Sequence, residues 1–299
     1  MRERAQITVL VDGRRLHLHD GPIDLIAEAF GDQGEVEIAY RAAAKRFVTV
    51  LDELCRELSL LRQAMKKGAM PAGVIARRMA AAVFPYCERK FVTPMAAVAG
   101  AVAEEILGCM TSAAKLSRAY VNNGGDIAVH LAAGESFVVG MVERPDRASL
   151  FGKVELHSEQ PMRGIATSGW RGRSFSLGIA DAVTVLAERA AMADAAATMI
   201  ANAVDLPGHS RIYRVPARDL APDSDLGDRL VTQGVGELSA EEIAAALDAG
   251  VELAELLRAE GLIHSAALHL SGETRVVGTT RLTEKNADDG ESSRSLIHA

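Results

Sequence analysis

The chain has 299 residues, of which 48% are apolar and only 4% aromatic, and its formal net charge is −7. That is enough apolar sequence for one large domain or two small ones, while the acidic balance offers no electrostatic footprint for nucleic acid or an anionic membrane surface. Any phosphate bound here has to be held locally, by backbone amides or a metal ion. With so few aromatics, alanine and small aliphatics have to build the core.

Cys55, Cys87 and Cys109 are widely spaced within helical patterns, which is neither a disulfide framework nor a zinc pattern. Buried thiols in a reducing compartment are the expectation. The opening "MRERAQITVLVDGRRLHLHDG" has no sustained apolar region and no cleavage site. No segment reaches the ~20 apolar residues that span a bilayer. A cytoplasmic location follows as the expectation, with neither a membrane nor a nucleic acid as partner.

In chain order, Ile7, Val9 and Val11 alternate, Asp12-Gly13 supplies turn residues, and Leu16 and Leu18 resume the alternation, which predicts a hairpin. Residues 36–68 change to helical spacing, with Phe47, Leu51, Leu54, Leu58 and Leu61 on one stripe. A second helix is expected over 73–84. In "TPMAAVAGAVAEEILGCM", Thr93 can cap and Pro94 suits the first helical position. The turns that follow are apolar on all sides, as in a buried helix. Strands are expected near 117–121, 126–132, 135–143, 153–158, 163–167 and in "DAVTVLAE". "RAAMADAAATMIANAV" is a second Ala-rich helix. Residues 207–229 carry three prolines and many charges and read as a long surface connection. Ser239 and Glu242 form a capping box for a helix to about 260. "IHSAALHL" and "TRVVGTTRL" make a closing hairpin. Residues 284–299 have too little apolar surface to fold and read as a disordered tail, leaving 1–283 as a single domain. Strands come in runs with helices between the runs, which predicts an α+β fold, mainly an antiparallel sheet packed against Ala-rich helices.

Three stretches carry candidate chemistry. In the second Ala-rich helix, Asp194, Thr198 and Asn202 lie at i, i+4, i+8 on one stripe. Solvated faces favour Glu, Lys, Arg or Gln, so this choice of residues points to a functional polar stripe. A solvent-facing stripe is the bland alternative. A carboxylate and a hydroxyl one turn apart supply two hard oxygens, a number that suits Mg²⁺ completed by water and phosphate. "ATSGWRGRSFSLG" is a Ser/Gly-rich loop able to form an anion nest, with Arg163, Arg171 and Arg173 adding charge. A plain surface loop accounts for its composition equally well. In "VNNGGDIAVH", Gly124-Gly125 lets backbone approach a ligand and Asp126 can accept a hydrogen bond. A loose turn is again the alternative. The histidines form no zinc pattern. No G-x-S-x-G elbow is present, and no catalytic residue is assigned.

Taken in order, "VNNGGDI", "ATSG" and "ADAAAT" resemble the ApbE-like superfamily, whose best-known members are FAD:protein FMN transferases, over about residues 93–204. "PMAAVAGAVAE" and "SFSLGIADAVTV" look like a separate cytosolic branch of it, whose members carry only an uncharacterised-family label. The resemblance implies a T-fold-like two-layer architecture. It implies Mg²⁺ on Asp194 and Thr198, with Ala96 at the small-residue position that completes the metal site. It implies flavin nucleotide (FAD or FMN) beside Thr167, Ser168 and Gly169, with Asn122, Gly124, Gly125 and Asp126 walling the cleft. The implied activity is a Mg²⁺-assisted reaction on a phosphorylated flavin-like nucleotide, in its specific form FMN transfer from FAD to a protein Ser or Thr. The alternative is a flavin or small-molecule binding protein without turnover. Two departures bear on this choice. Ala99 stands where the transferases have a charged residue, and "SFSLGIADAV" bypasses their Asp-Pro-x-Thr-Gly loop. The Ala-rich helices and broad sheet would suit a homodimer.

Overall fold

The computed structural model describes residues 5–68, 70–144, 147–278 and 296–298. Three strands open the chain, β1 (Gln6–Val9), β2 (Leu16–Asp20) and β3 (Ile23–Phe30), followed by helices α1 (Gln33–Arg56), α2 (Leu58–Leu61), α3 (Val74–Val83) and α4 (Val98–Ala113). Strands β4 (Arg118–Asn123), β5 (Asp126–Leu131), β6 (Ser136–Arg144), β7 (Arg147–His157), β8 (Gly164–Ser168) and β9 (Ala182–Ala187) come next. Then come α5 (Ala190–Ala203), β10 (Ile212–Pro216), α6 (Ala217–Leu220), β11 (Leu230–Val235), α7 (Ala240–Ala259), β12 (Ser265–Leu270) and β13 (Glu273–Val277). A short β14 (Leu296–His298) runs parallel beside Val138–Gly140 of β6.

The expected α+β fold is observed. Nine strands form one sheet in the order β1-β2-β3-β4-β5-β8-β9-β12-β13, and every neighbouring pair in it is antiparallel. Its inner face and the helices share one hydrophobic cluster running from Leu16 to Val277. The opposite face is covered in its middle by the β6–β7 hairpin, where Phe137, Val139, Val154 and Leu156 pack on Tyr120, Ile127, Val129 and Ile165.

Alanine does build the core. Ala190, Ala193, Ala195, Ala196, Ala197 and Ala201 of α5 have no exposed surface. Small side chains let the helix axes approach closely, and α4 and α5 cross where a Cβ on Gly100 would stand 2.3 Å from the carbonyl oxygen of Ala190. The stretch Pro94–Ala113 is long and apolar enough to cross a membrane by length and composition alone, which corrects the expectation that no such segment exists. Here it is a core element, with Ala101, Val102, Ala103, Ile106 and Met110 fully buried.

Several other expectations need correction. Strand β3 falls between the predicted hairpin and the predicted first helix, where no element is predicted. It alternates, with Leu25 and Ala27 buried inward, but two alanines and two acids give it little β character by composition. The supposed surface connection over 207–229 contains β10 and α6, and β10 pairs with β11 in a separate ribbon. Proline is tolerated there because Pro216 ends its strand. None of the cysteines is fully buried: Cys55 is exposed, and Cys87 and Cys109 are half-buried. The capping box at Ser239 and Glu242 is present as expected. Of the tail expected at 284–299, residues 284–295 and 299 lie outside the described residues, as do 279–283.

Candidate functional site

The stretch "VNNGGDIAVH" is a two-residue hairpin. Asn123 of β4 faces Asp126 of β5, and Gly124 and Gly125 turn the chain with φ of 68° and 111°. Positive φ at both central residues gives the turn a twist that matches the flanking strands and is adopted cheaply only by glycine or asparagine. Asn122 closes the turn by accepting from the Gly125 amide at 2.8 Å. The neighbouring Asn123 reaches away and donates from Nδ2 to the carbonyl of Ala99 at 3.1 Å. The turn is thereby tied to the first turn of α4.

That first turn is also gripped by α5. Asp194 Oδ2 accepts from the amide of Gly100 at 3.0 Å, and the Ala99 amide also donates to this carboxylate. In return, Glu104 of α4 accepts from the Ala191 amide at the start of α5 at 2.8 Å. Neither helix has a capping side chain of its own. Each supplies the other's missing acceptor, satisfying amides that would otherwise be orphaned at the crossing. Arg78 holds the second oxygen of Glu104 at 3.0 Å.

Asp126 receives the backbone amide of Thr167. Its carboxylate and that of Asp194 are each only partly accessible. Burial, then the neighbouring Asp194 carboxylate, pushes Asp126 well above the ordinary carboxylate range. Burial likewise raises Asp194 to about 7, against the opposing pull of the Gly100 and Ala99 amides. Among the described residues neither acid forms an ion pair with Lys, Arg or His. Two desolvated carboxylates with no countercharge strongly favour either a proton or a bound cation.

Asp126 lies at one end of a cavity of about 660 Å³. Its walls are mostly apolar, with Leu51, Leu54, Leu58 and Leu61 from α1 and α2 facing Met79, Met95, Val98 and Val102. The stripe expected on the first helix thus has four of its members in a cavity wall. Apart from Arg62, which follows α2, its charged and amide groups come from the β4–β5 turn and the loop after β8, where Asn123, Gly124, Asp126, Arg173 and Ser174 line it. A chamber of this size and character suits a small molecule with an apolar body and one polar end.

The expected site residues are brought together in part. Gly124 and Asp126 line the cavity, whereas Asn122 serves the turn itself. Asp194 adjoins Asp126, and Thr198 lies one helical turn further along α5, partly accessible. Asn202, the third member of the stripe, is used differently: it accepts from the Leu177 amide at 2.8 Å and pins the loop before β9. Thr167 turns its hydroxyl to Thr184 at 2.9 Å, across the strand pair. Thr167, Ser168 and Gly169 do not line the cavity, and this segment reaches Asp126 through the Thr167 amide. Ala96 sits in a 3₁₀ turn ahead of α4, where only its carbonyl oxygen could serve a metal. Ala99 lines the cavity and uses both backbone groups, one on Asn123 and one on Asp194.

Sequence reasoning missed three residues that organise this region. Glu104 was one of two adjacent acids in a helix. Asn123 was indistinguishable from Asn122. Asp181, buried before β9, gathers Trp170 Nε1 at 3.2 Å, Arg171 Nε at 2.5 Å and the Ser271 amide at 2.7 Å. Its only signal was an acid at the head of a mostly apolar strand.

The arrangement defines an α+β protein with an apolar chamber whose polar side carries Asp126, backed by the neighbouring Asp194. The chain belongs to the family described as AbpE bacteria, whose model matches residues 7–276, in accord with the ApbE-like motifs. A UPF0280 protein of Methanopyrus kandleri is 43% identical over 128 residues, covering 43% of this chain and 48% of that protein. A UPF0280 protein of Methanobrevibacter smithii is 38% identical over 132 residues, covering 44% and 52%. The chain thus spans about half the length of the curated relatives it matches. The crystal structure of the Pseudomonas stutzeri flavinyl transferase ApbE in its apo form aligns over 93% of this chain and 95% of that one, at 12% identity and a TM-score of 0.41.

Proposed function

We propose that this chain is a divalent-cation-assisted enzyme acting on a phosphorylated, flavin-like nucleotide, with FMN transfer from FAD to a protein Ser or Thr as its specific reaction. The observation that carries the reading is the Asp126–Asp194 pair, desolvated and, among the described residues, without a basic partner, its Asp126 member lining the polar side of an apolar chamber. Family membership supports it independently.

The donor set fits Mg²⁺. Among the described residues there is no cluster of three or more His, Cys, Asp or Glu side chains placed for a metal. The protein share of the site is therefore two carboxylates with neutral oxygens, Thr198 and the Ala96 carbonyl being the nearest candidates in sequence. Mg²⁺ commonly takes one or two carboxylates and completes its shell with water and substrate phosphates. When bound, the ion would supply charge neutralisation at a pyrophosphate and ease departure of the leaving phosphate.

The chain's own residues do the positioning. Amides at the head of α4 fix the Asp194 carboxylate, the Thr167 amide fixes Asp126, and Asn123 locks the glycine turn to the same helix end. Such preorganisation means little rearrangement is needed when ligand arrives. The leucine and methionine walls lower the local polarity, which strengthens electrostatic contacts at the polar end.

The test is direct. The purified protein is assayed for Mg²⁺-dependent binding of FAD and for release of AMP, with Asp194→Asn as control. AMP release that disappears in the variant supports the transferase. Flavin bound without AMP would reduce the protein to a carrier, and failure to take up either flavin or metal would overturn the proposal.

A further inference from the structure

Three arginines flank the Thr-Ser-Gly segment, and the fold gives them three fates. Arg163 donates to the carbonyl oxygens of Ser158, Gln160 and Met162. Arg171 binds Asp181 at 2.5 Å and stacks over the Trp170 ring, 4.2 Å from its centroid. Arg173 alone is exposed and, among the described residues, makes no hydrogen bond or ion pair. It lines the chamber together with Asp126. Arg62, the other arginine in that wall, is already held by Asp223 at 2.8 Å.

The guanidinium of Arg173 lies beside the Gly124 turn. A Cβ on Gly124 would stand 3.3 Å from Arg173 Nη1, so the bare turn leaves room for the arginine head. The loop that carries it is fastened on both sides. Before it, Trp170 donates its amide to Ala180 at 3.0 Å; after it, Leu177 donates to Asn202 at 2.8 Å. A charged group on a backbone already fixed loses less freedom when a ligand arrives.

We propose that Arg173 is the anion anchor of this chamber. Its planar guanidinium would grip phosphoryl oxygens by paired N–H donors while Asp126 and Asp194 hold the cation. The inference rests on the reading above that a phosphorylated ligand enters here, and it adds an orientation. The phosphate end lies at the Gly124 turn, and the organic body lies among Leu51, Leu54, Met79, Met95 and Val102. Ligands lacking a phosphate beside Arg173 are selected against, because the rest of the wall offers them few polar partners.

The experiment titrates inorganic pyrophosphate by calorimetry in the presence of Mn²⁺, and Mn²⁺ alone by paramagnetic resonance, on wild type, Arg173→Ala, Arg173→Lys and Asp194→Asn. Arg173→Ala is expected to weaken pyrophosphate by about tenfold or more, the range of a charge-assisted pair, with Mn²⁺ affinity unchanged. Arg173→Lys should recover part of the loss, since it keeps charge without the planar fork. Asp194→Asn should lose Mn²⁺. Unchanged pyrophosphate affinity in Arg173→Ala overturns the anchor and leaves the metal reading standing. A wild type that takes up no Mn²⁺, with pyrophosphate still lost in Arg173→Ala, overturns the metal reading and keeps the anchor. A wild type that binds no pyrophosphate overturns both.

Discussion

Asp194 performs two tasks, capping α4 and facing a second carboxylate, and they respond differently to pH. Its folded pKa of about 7 lies above the ordinary 3.8, so between those values the folded state holds more protons than the unfolded chain. Stability conferred by the protonated pair is complete below about pH 4 and is lost as pH rises toward 7. Metal-free protein is expected to be less stable at pH 8 than at pH 5, by on the order of 1–3 kcal/mol. Denaturant melts at the two values check this. Asp194→Asn keeps an oxygen for the Gly100 amide and should flatten the slope, whereas Asp194→Ala should also lose roughly 0.5–2 kcal/mol of capping. Added Mg²⁺ should recover stability at pH 8 in the wild type alone. The sequence made Asp194 conspicuous, because an acid among alanines stands out. It gave no notice of Glu104 and Asn123, since their work depends on which helix end and which turn face them.

Elements meet here through small residues, and the α4–α5 crossing is the clearest case. With a Cβ at Gly100 directed to 2.3 Å from the Ala190 carbonyl oxygen, Gly100→Ala has to push the helices apart. Alanine's better helix propensity, about 1 kcal/mol, is outweighed by overpacking against backbone. A net loss of at least about 2 kcal/mol is expected in a thermal or denaturant melt, together with weaker Mn²⁺ uptake as the Gly100 amide moves off Asp194. A melt equal to wild type would show that the crossing has room for a Cβ at this position. The loop between β8 and β9 is fastened by Asp181. Asp181→Ala strands the Trp170 indole N–H, the Arg171 guanidinium and the Ser271 amide. Unpaired groups of this kind cost roughly 1–3 kcal/mol each when buried. The variant should be cut faster by trypsin at Arg171 or Arg173, as limited proteolysis followed by mass spectrometry would show.

The whole molecule is organised by one sheet whose inner face feeds a continuous core from Leu16 to Val277. That continuity predicts a single cooperative unfolding transition seen identically by far-UV circular dichroism and by Trp170 fluorescence. Two separated transitions would show that the strands β1–β3 and their helix fold apart from the rest. A ligand in the chamber, which touches α1, α2, α3, α4 and the β4–β5 turn, should raise the midpoint of the entire transition. Linkage puts this at about 2.7 kcal/mol when free ligand is a hundredfold above its Kd.

Local pattern decided much of this protein before any tertiary contact is considered. Alternation marked most of the strands, the alanine runs marked α4 and α5, and Ser239 with Glu242 announced α7. These signals are legible because they depend on residues a few positions apart. Strand β3 escaped, since its alanines and acids become a strand only between β2 and β4, and β10 and β11 escaped because each needs the other. The chamber escaped altogether. Its walls come from residues as distant as Pro22 and Ser174, and an arginine left without a partner among the described residues is visible only once every neighbour's partner has been assigned. Chain order fixed which residues could fold locally; the sheet's long-range pairings decided which acid, amide and arginine side chains came to share one cavity.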